Sequence, residues 1–101
     1  MTKLEASRLV LGSHVVAANG KYIQQAVVAN VEPHHREGLW ITFCWRSPGG
    51  VVRIAKKRHC SVYLPEEGEA GPDYPKSLLE EARQIYPGFF TNSKISVDTP
   101  P

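Results

Sequence analysis

Five basic side chains near the middle of the chain have the clearest chemical potential. The segment from Arg46 through Cys60 contains no Asp or Glu. An acid-free group of cations attracts phosphates, and such contacts give salt-dependent affinity that varies little with nucleotide sequence. The sequence therefore predicts phosphate contacts, with a solvated strand end as the alternative. The candidate nucleic-acid-binding residues are Arg46, Arg53, Lys56, Lys57 and Arg58.

The following segment has the opposite charge. Residues 65–75 contain four acids and no base, although the net charge of the whole chain is only +2. Local patches of charge, rather than the net charge, decide what a small domain attracts. We therefore hypothesise that the acidic segment shields the basic one within the same molecule. The acids are Glu66, Glu67, Glu69 and Asp73.

Aromatic side chains form a second candidate site. Alternation along residues 39–46 puts Phe43 and Trp45 on one face of a strand and Trp40 on the other. Such rings either bind a cationic group of a peptide through cation–π contacts or pack in the core. Core packing is the favoured interpretation for Phe43. The candidate peptide-binding residues are Tyr22, Trp40, Phe43 and Trp45.

Cysteine and histidine are preferred zinc ligands, but their spacing here does not suit a metal site. The chain has no Cys-x-x-Cys pair, and the neighbours His59 and Cys60 would point to opposite faces of a strand. The same divergence argues against a Cys–His nucleophile. We predict no metal, no cofactor and no enzymatic activity, with both thiols buried as small hydrophobes. The residues considered are His34, His35, Cys44, His59 and Cys60.

These side chains lie on a segment, from Gly12 to Leu64, that is typical of short β-strands. Asn19-Gly20 favours a two-residue hairpin turn, and Ser47-Pro48-Gly49-Gly50 favours a second turn. Five strands in about fifty residues suit a small barrel, so the predicted fold is mainly β. The predicted strands cover residues 13–18, 22–31, 39–46, 51–55 and 60–64, and residues 56–59 form a basic connector.

The 101 residues are expected to form one domain. Residues 1–64 form the barrel, and residues 1–11 begin it as a strand or a short helix. Residues 65–75 form a flexible acidic connector rich in Pro and Gly. Residues 76–90 form a C-terminal helix, and residues 91–101 form a disordered tail.

The C-terminal helix has a start signal and an apolar stripe. Ser77 and Glu80 match a capping box, and Pro87 ends the helix. The stripe is expected to dock on the barrel, because a short helix alone is marginally stable in water. Alternatively, the stripe faces a partner protein or a second copy of the chain. It consists of Leu78, Ala82 and Ile85.

The strand pattern resembles the Tudor-like group of SH3-like barrels, modules associated with chromatin and RNA. The similarity covers about residues 12–64 and is carried by residues 12–17, 19–27 and 39–43. The resemblance implies either nucleic-acid contact through a basic edge or recognition of methylated Lys or Arg in an aromatic cage. Tyr22, Phe43 and Trp45 would form a partial cage, because Ala17-Ala18 and Ile23 stand where rings are usual.

Together these observations predict a non-enzymatic binding module in chromatin or transcription regulation. Its partners would be DNA or RNA, or a histone-like or other peptide. The alternative is a protein–protein adaptor that uses its C-terminal helix or a sheet edge, with residues 76–90 binding a partner protein or a second copy of the chain. The chain has no run of the ~20 apolar residues that a membrane span needs, and its N-terminus has no signal-peptide pattern. We therefore expect an intracellular, nuclear protein. Its final residues, Asp98–Pro101, also suit a fragment of a longer protein.

Overall fold

Five strands and two α-helices make up the part of the chain that the structure describes. The computed structural model describes residues 1–19, 22–33, 36 and 38–90. The helices are α1 (Lys3–Ser7) and α2 (Pro75–Ile85), and short 3₁₀ turns cover His59–Ser61 and Pro87–Phe89. The strands are β1 (His14–Asn19), β2 (Tyr22–Pro33), β3 (Leu39–Arg46), β4 (Val52–Arg58) and β5 (Val62–Tyr63).

The strands form one antiparallel sheet in the order β4-β3-β2-β1-β5. β1 to β4 pair as consecutive neighbours, and β5 returns to pair with β1. β4 and β5 are therefore the edges, and within the described residues no ladder joins them. The structure confirms the predicted mainly-β class with five strands and a C-terminal helix.

The predicted hairpins are present. Asn19 stands opposite Tyr22 in the β1–β2 ladder, which leaves a two-residue connection whose Gly20 and Lys21 lie outside the described residues. In the β3–β4 turn the Gly50 N–H donates to the Ser47 carbonyl at 2.8 Å. β3 also has its predicted bounds, because its apolar residues alternate along its full length.

The predicted ends of the last two strands were wrong. β4 does not stop at Ala55 but continues through Arg58, so the expected basic connector is mostly strand. In the fifth strand Val62 is buried as predicted, whereas Cys60 and Leu64 are exposed. Long Lys and Arg side chains extend from an edge strand into water, so their charge does not interrupt the backbone ladder.

One side of the sheet, which we call the α1 face, packs against α1. Residues 1–11 contain this short helix, one of the two predicted possibilities, and Thr2 and Glu5 form its capping box. The Met1 ammonium donates to the Val62 carbonyl at 2.7 Å. The buried cluster consists of Ala6, Leu9, Val15, Ala17, Ala26, Val28, Val31, Ile41, Phe43 and Val62.

The opposite side, the α2 face, packs against α2. Leu78 and Ala82 of the helix are buried against a sheet cluster. The Tyr86 hydroxyl, just after α2, donates to the Val52 carbonyl at 3.0 Å. Because α1 and α2 cover opposite faces, the middles of β2 and β3 are buried on both sides. The sheet residues of this cluster are Val27, Cys44 and Val52.

α2 starts differently from the sequence prediction and is shorter than the predicted 76–90 helix, although it stops before Pro87 as expected. The helix begins at Pro75 after Tyr74, which has φ of 53° and no capping side-chain hydrogen bond, so the predicted capping box at Ser77 was wrong. Proline suits a first helical position because its φ is already helical. α2 ends at Ile85, just before Pro87. The predicted tail, 91–101, lies outside the described residues.

Among the described residues, the structure has no helix that is both long and apolar enough to cross a membrane.

Replacing the buried anchor of α2 should destabilise the protein far more than replacing its exposed neighbour. Leu78 is 1% exposed and Ile85 is 50% exposed. We expect Leu78→Ala to lower the free energy of unfolding by about 2–4 kcal/mol, because it leaves a cavity, and Ile85→Ala by under about 1 kcal/mol. Urea unfolding measures both. Equal losses would contradict the packing of α2 on the sheet.

Candidate functional site

Four of the five predicted basic residues lie on β4. Neighbouring residues of a strand point to opposite faces, so the register divides these side chains between the two faces. Arg53 and Lys57 lie on the α1 face, and Lys56 and Arg58 lie on the α2 face. Since β4 is an edge strand, the structure lines one edge of the sheet with cations on both sides.

Lys56 is held beside an aromatic ring and a carboxylate. Its Nζ lies 2.6 Å from Oε1 of Glu32 and 5.3 Å from the ring centroid of Trp40. Trp40 and Glu32 stand opposite each other on β3 and β2, so Lys56 extends across β3 to reach both. The pair is partly exposed, and it contributes at most about 1 kcal/mol to stability. These contacts orient Lys56 without removing it from solvent.

Lys57 extends across the other face of the sheet, the α1 face. Its Nζ donates to the Ala18 carbonyl at 2.9 Å, although β2 and β3 separate β4 from β1 in the sheet order. The acceptor is uncharged, so Lys57 keeps its positive charge. Arg53 is exposed further along the same face of β4. Both cations therefore contribute to the potential of the β4 edge.

The backbone of Gly38 lies close to the His59 side chain, next to the end of β4 at Arg58. Gly38 has φ of 101°, and a Cβ there would lie 2.6 Å from His59 Cε1 and 3.7 Å from Arg58 Nη2. The Leu39 N–H donates to His59 Nδ1 at 3.2 Å. A side chain at position 38 would therefore require a positive φ and a shift of His59; Arg36, two residues earlier in the sequence, is exposed. Sequence reasoning did not select Arg36.

Arg46 is separated from the cations of β4. Its Nη2 lies 3.1 Å from Oε1 of Glu81 on α2, and its Nη1 donates to the Gly50 carbonyl at 3.1 Å. The ion pair offsets its charge. This pairing has no local signature, because the two residues are 35 positions apart in the sequence.

The four aromatic candidates do not share one pocket. Trp40 lies on the α2 face, whereas Phe43 and Trp45 lie on the α1 face with ring centroids 5.7 Å apart. Phe43 is 1% exposed, so the interpretation of this ring as a core residue is confirmed. Tyr22 is 69% exposed at the start of β2.

The space beside Phe43 and Trp45 is small. A pocket of about 90 Å³ is lined by both rings, by Ala17 and Ala18, and by the chain's own Lys57. Ligand pockets typically measure about 300–1,000 Å³. A methylated lysine would compete here with Lys57, which is bonded to Ala18.

The thiols and imidazoles have separate environments. Cys44 is buried, and desolvation raises the pKa of its thiol to about 12, so it stays protonated at neutral pH. Cys60 is exposed in the His59–Ser61 turn, contrary to the prediction that both thiols are buried. In the described part of the chain, no three His, Cys, Asp or Glu residues form a group that could hold a metal ion. His34 and His35 lie outside the described residues.

One acid of the 65–75 segment bonds to the sheet away from β4. Glu69 accepts from the Glu66 N–H at 2.8 Å and from the Gln25 side chain on β2. Both bonds stabilise its ionised form and lower the pKa of the carboxyl group. This carboxylate therefore lies over β2 and is not placed to shield β4.

No family model, curated protein or solved structure matches this chain. The resemblance to Tudor-like domains therefore stays a prediction.

A pocket on the α2 face adjoins the cations of β4. It has a volume of about 450 Å³ and lies between the sheet and the segment that follows α2. Lys56 and Glu32 form part of its wall, together with Asn30 and Thr42. Sequence reasoning missed it, because it is formed by segments about 30–60 residues apart with no local signature.

Proposed function

We propose that this protein is a non-enzymatic nucleic-acid-binding module that contacts phosphates through the edge strand β4. The observation that carries the proposal is the row of four cations on both faces of that edge. An edge strand leaves such side chains accessible to an extended polyanion, and phosphate contacts supply most sequence-independent affinity. The four residues are Arg53, Lys56, Lys57 and Arg58.

We further propose that the sheet belongs to an SH3-like barrel. Two observations support it: β5 returns to β1, and Lys57 of β4 bonds to Ala18 of β1 across the α1 face. The sheet is therefore curled enough for a side chain of one edge strand to span two intervening strands. A role in chromatin or transcription, and a nuclear location, are proposed from the resemblance to Tudor-like domains alone.

The geometry favours phosphate contact over an aromatic cage. Phe43, one wall of the predicted partial cage, is 1% exposed, and the pocket beside Phe43 and Trp45 measures about 90 Å³. The cations of β4, in contrast, share one continuous edge. Two residues along a strand advance about 6.6 Å, so these side chains are spaced to reach successive parts of a nucleic-acid backbone.

Removing single cations of β4 should weaken nucleic-acid binding uniformly across sequences. We expect Arg53→Gln or Arg58→Gln to lower affinity for a single-stranded oligonucleotide about fivefold at about 50 mM salt, and to reduce the salt slope by about 0.7. Fluorescence anisotropy at several salt concentrations measures both quantities.

The matched control is Arg46→Gln, because Arg46 lies on β3 and is held against α2 by Glu81, away from the β4 row. It should leave affinity nearly unchanged. No binding by the wild-type protein at low salt would refute the proposal, as would equal losses in all three variants.

A second candidate function is peptide binding through an apolar patch near the other edge of the sheet. Ile23, Tyr63 and Leu64 are 68%, 53% and 42% exposed. With Glu66 and Glu69 they line a pocket of about 250 Å³. Exposed apolar patches with polar rims often mark protein contacts, and the acids favour a basic, partly apolar peptide.

If the patch binds peptides, we expect Ile23→Ser to abolish binding of a peptide that alternates Lys and Leu, because the substitution removes an exposed apolar anchor. Val51→Ser is the matched control, since Val51 is 52% exposed in the β3–β4 connection. Isothermal titration calorimetry with the three proteins measures the effect. Equal binding by both variants and the wild type would exclude a specific role for this patch.

A further inference from the structure

The α2-face pocket has one polar side and one largely apolar side. The sheet contributes Asn30, Glu32, Thr42 and Lys56. The end of α2 and the segment after it contribute the opposite wall, including the apolar side chains of Ile85 and Phe89. Its volume of about 450 Å³ lies within the range of small-ligand sites.

Asn30 is the unusual member of this pocket. It is 2% exposed, and within the described part of the chain its Oδ1 has no hydrogen-bond partner. An irregularity in the β2–β3 ladder between Val28 and Asn30 sets Asn30 opposite Thr42. Buried polar atoms nearly always have a partner, and one without a partner is costly. A ligand that donates a hydrogen bond to Oδ1 would account for this amide.

The neighbouring groups define the chemistry of such a ligand. Thr42 can donate or accept a hydrogen bond, and the amide of Asn30 can do both through its two ends. Phe89 is 39% exposed and offers an aromatic surface on the opposite side. A planar heterocycle with hydrogen-bond donors and acceptors along its edge satisfies both walls. Nucleobases have this form, and Asn is well suited to the edge of adenine.

The pocket also lies on the path of the proposed phosphate contacts. Lys56 belongs to its wall, and Arg58 lies on the same face of β4 two residues further along. The pairing of Lys56 with Glu32 fixes the ammonium at the rim. A strand that follows Arg58 and Lys56 would therefore bring a base to Asn30. Unstacked bases commonly bind in this way, on aromatic side chains next to a basic track.

We propose that the α2-face pocket binds one unstacked base of a single-stranded nucleic acid. Asn30 and Thr42 contact the edge of the base, Phe89 packs against its ring, and Lys56 and Arg58 contact the adjoining backbone. This inference rests on the proposed nucleic-acid function and names its substrate as single-stranded.

The test compares two oligonucleotides of equal length, one of adenosines and one whose central nucleotides are abasic. Both carry the same phosphates, so only base contacts distinguish them. We expect the wild-type protein to bind the adenosine strand about tenfold more tightly in anisotropy titrations. Asn30→Leu and Phe89→Ala should each remove this preference while keeping the affinity for the abasic strand. Phe89 is partly exposed, so Phe89→Ala should fold and still test the pocket if Asn30→Leu does not fold.

Three results would overturn the base pocket, and they separate it from the wider function. Equal wild-type affinity for the two strands would refute base binding and leave the phosphate contacts of β4 standing. A preference that persists in both variants would place base recognition elsewhere on the protein. No binding of either strand would refute both the pocket and the nucleic-acid function.

Discussion

Burial of the central strands on both faces is the constraint on which the rest of the structure depends. β3 carries Phe43 into the α1-face core and Cys44 into the α2-face core, so most of its middle is enclosed by apolar side chains. Long charged side chains cannot be accommodated there without a large desolvation cost. They lie at the ends of the inner strands and on the edge strand β4, which thereby becomes the charged border of the sheet.

The same arrangement gives the cations of β4 two roles. Charged side chains on an edge strand discourage pairing with other chains, and here they also create a positive border. Lys56 and Lys57 illustrate how the fold controls that border, since one is drawn over Trp40 towards Glu32 and the other across the α1 face to Ala18. Separation from Glu69, which bonds to β2, preserves the charge asymmetry.

Local patterns in the sequence predicted the elements whose signals are local. The alternation of β3 and the turn at Ser47–Gly50 agree with the structure. Tertiary contacts decided the rest: pairing with β3 extended β4 through Arg58, and the Tyr74-Pro75 start of α2 replaced the capping box at Ser77. The basic and aromatic residue types were visible in the sequence. The division of the β4 cations between two faces, and the isolation of Asn30 Oδ1, required the register and the position of α2.

The most direct test of the central claim is a chemical-shift map of the ¹⁵N-labelled protein during titration with a single-stranded oligonucleotide. The account predicts saturable shifts at the backbone amides of residues 53–58, at the Trp40 indole and at the side-chain amide of Asn30. The amides around Ile23 and Tyr63 should remain unchanged. Shifts confined to that apolar patch, or an absence of shifts at low salt, would contradict the assignment of function to β4 and the α2 face.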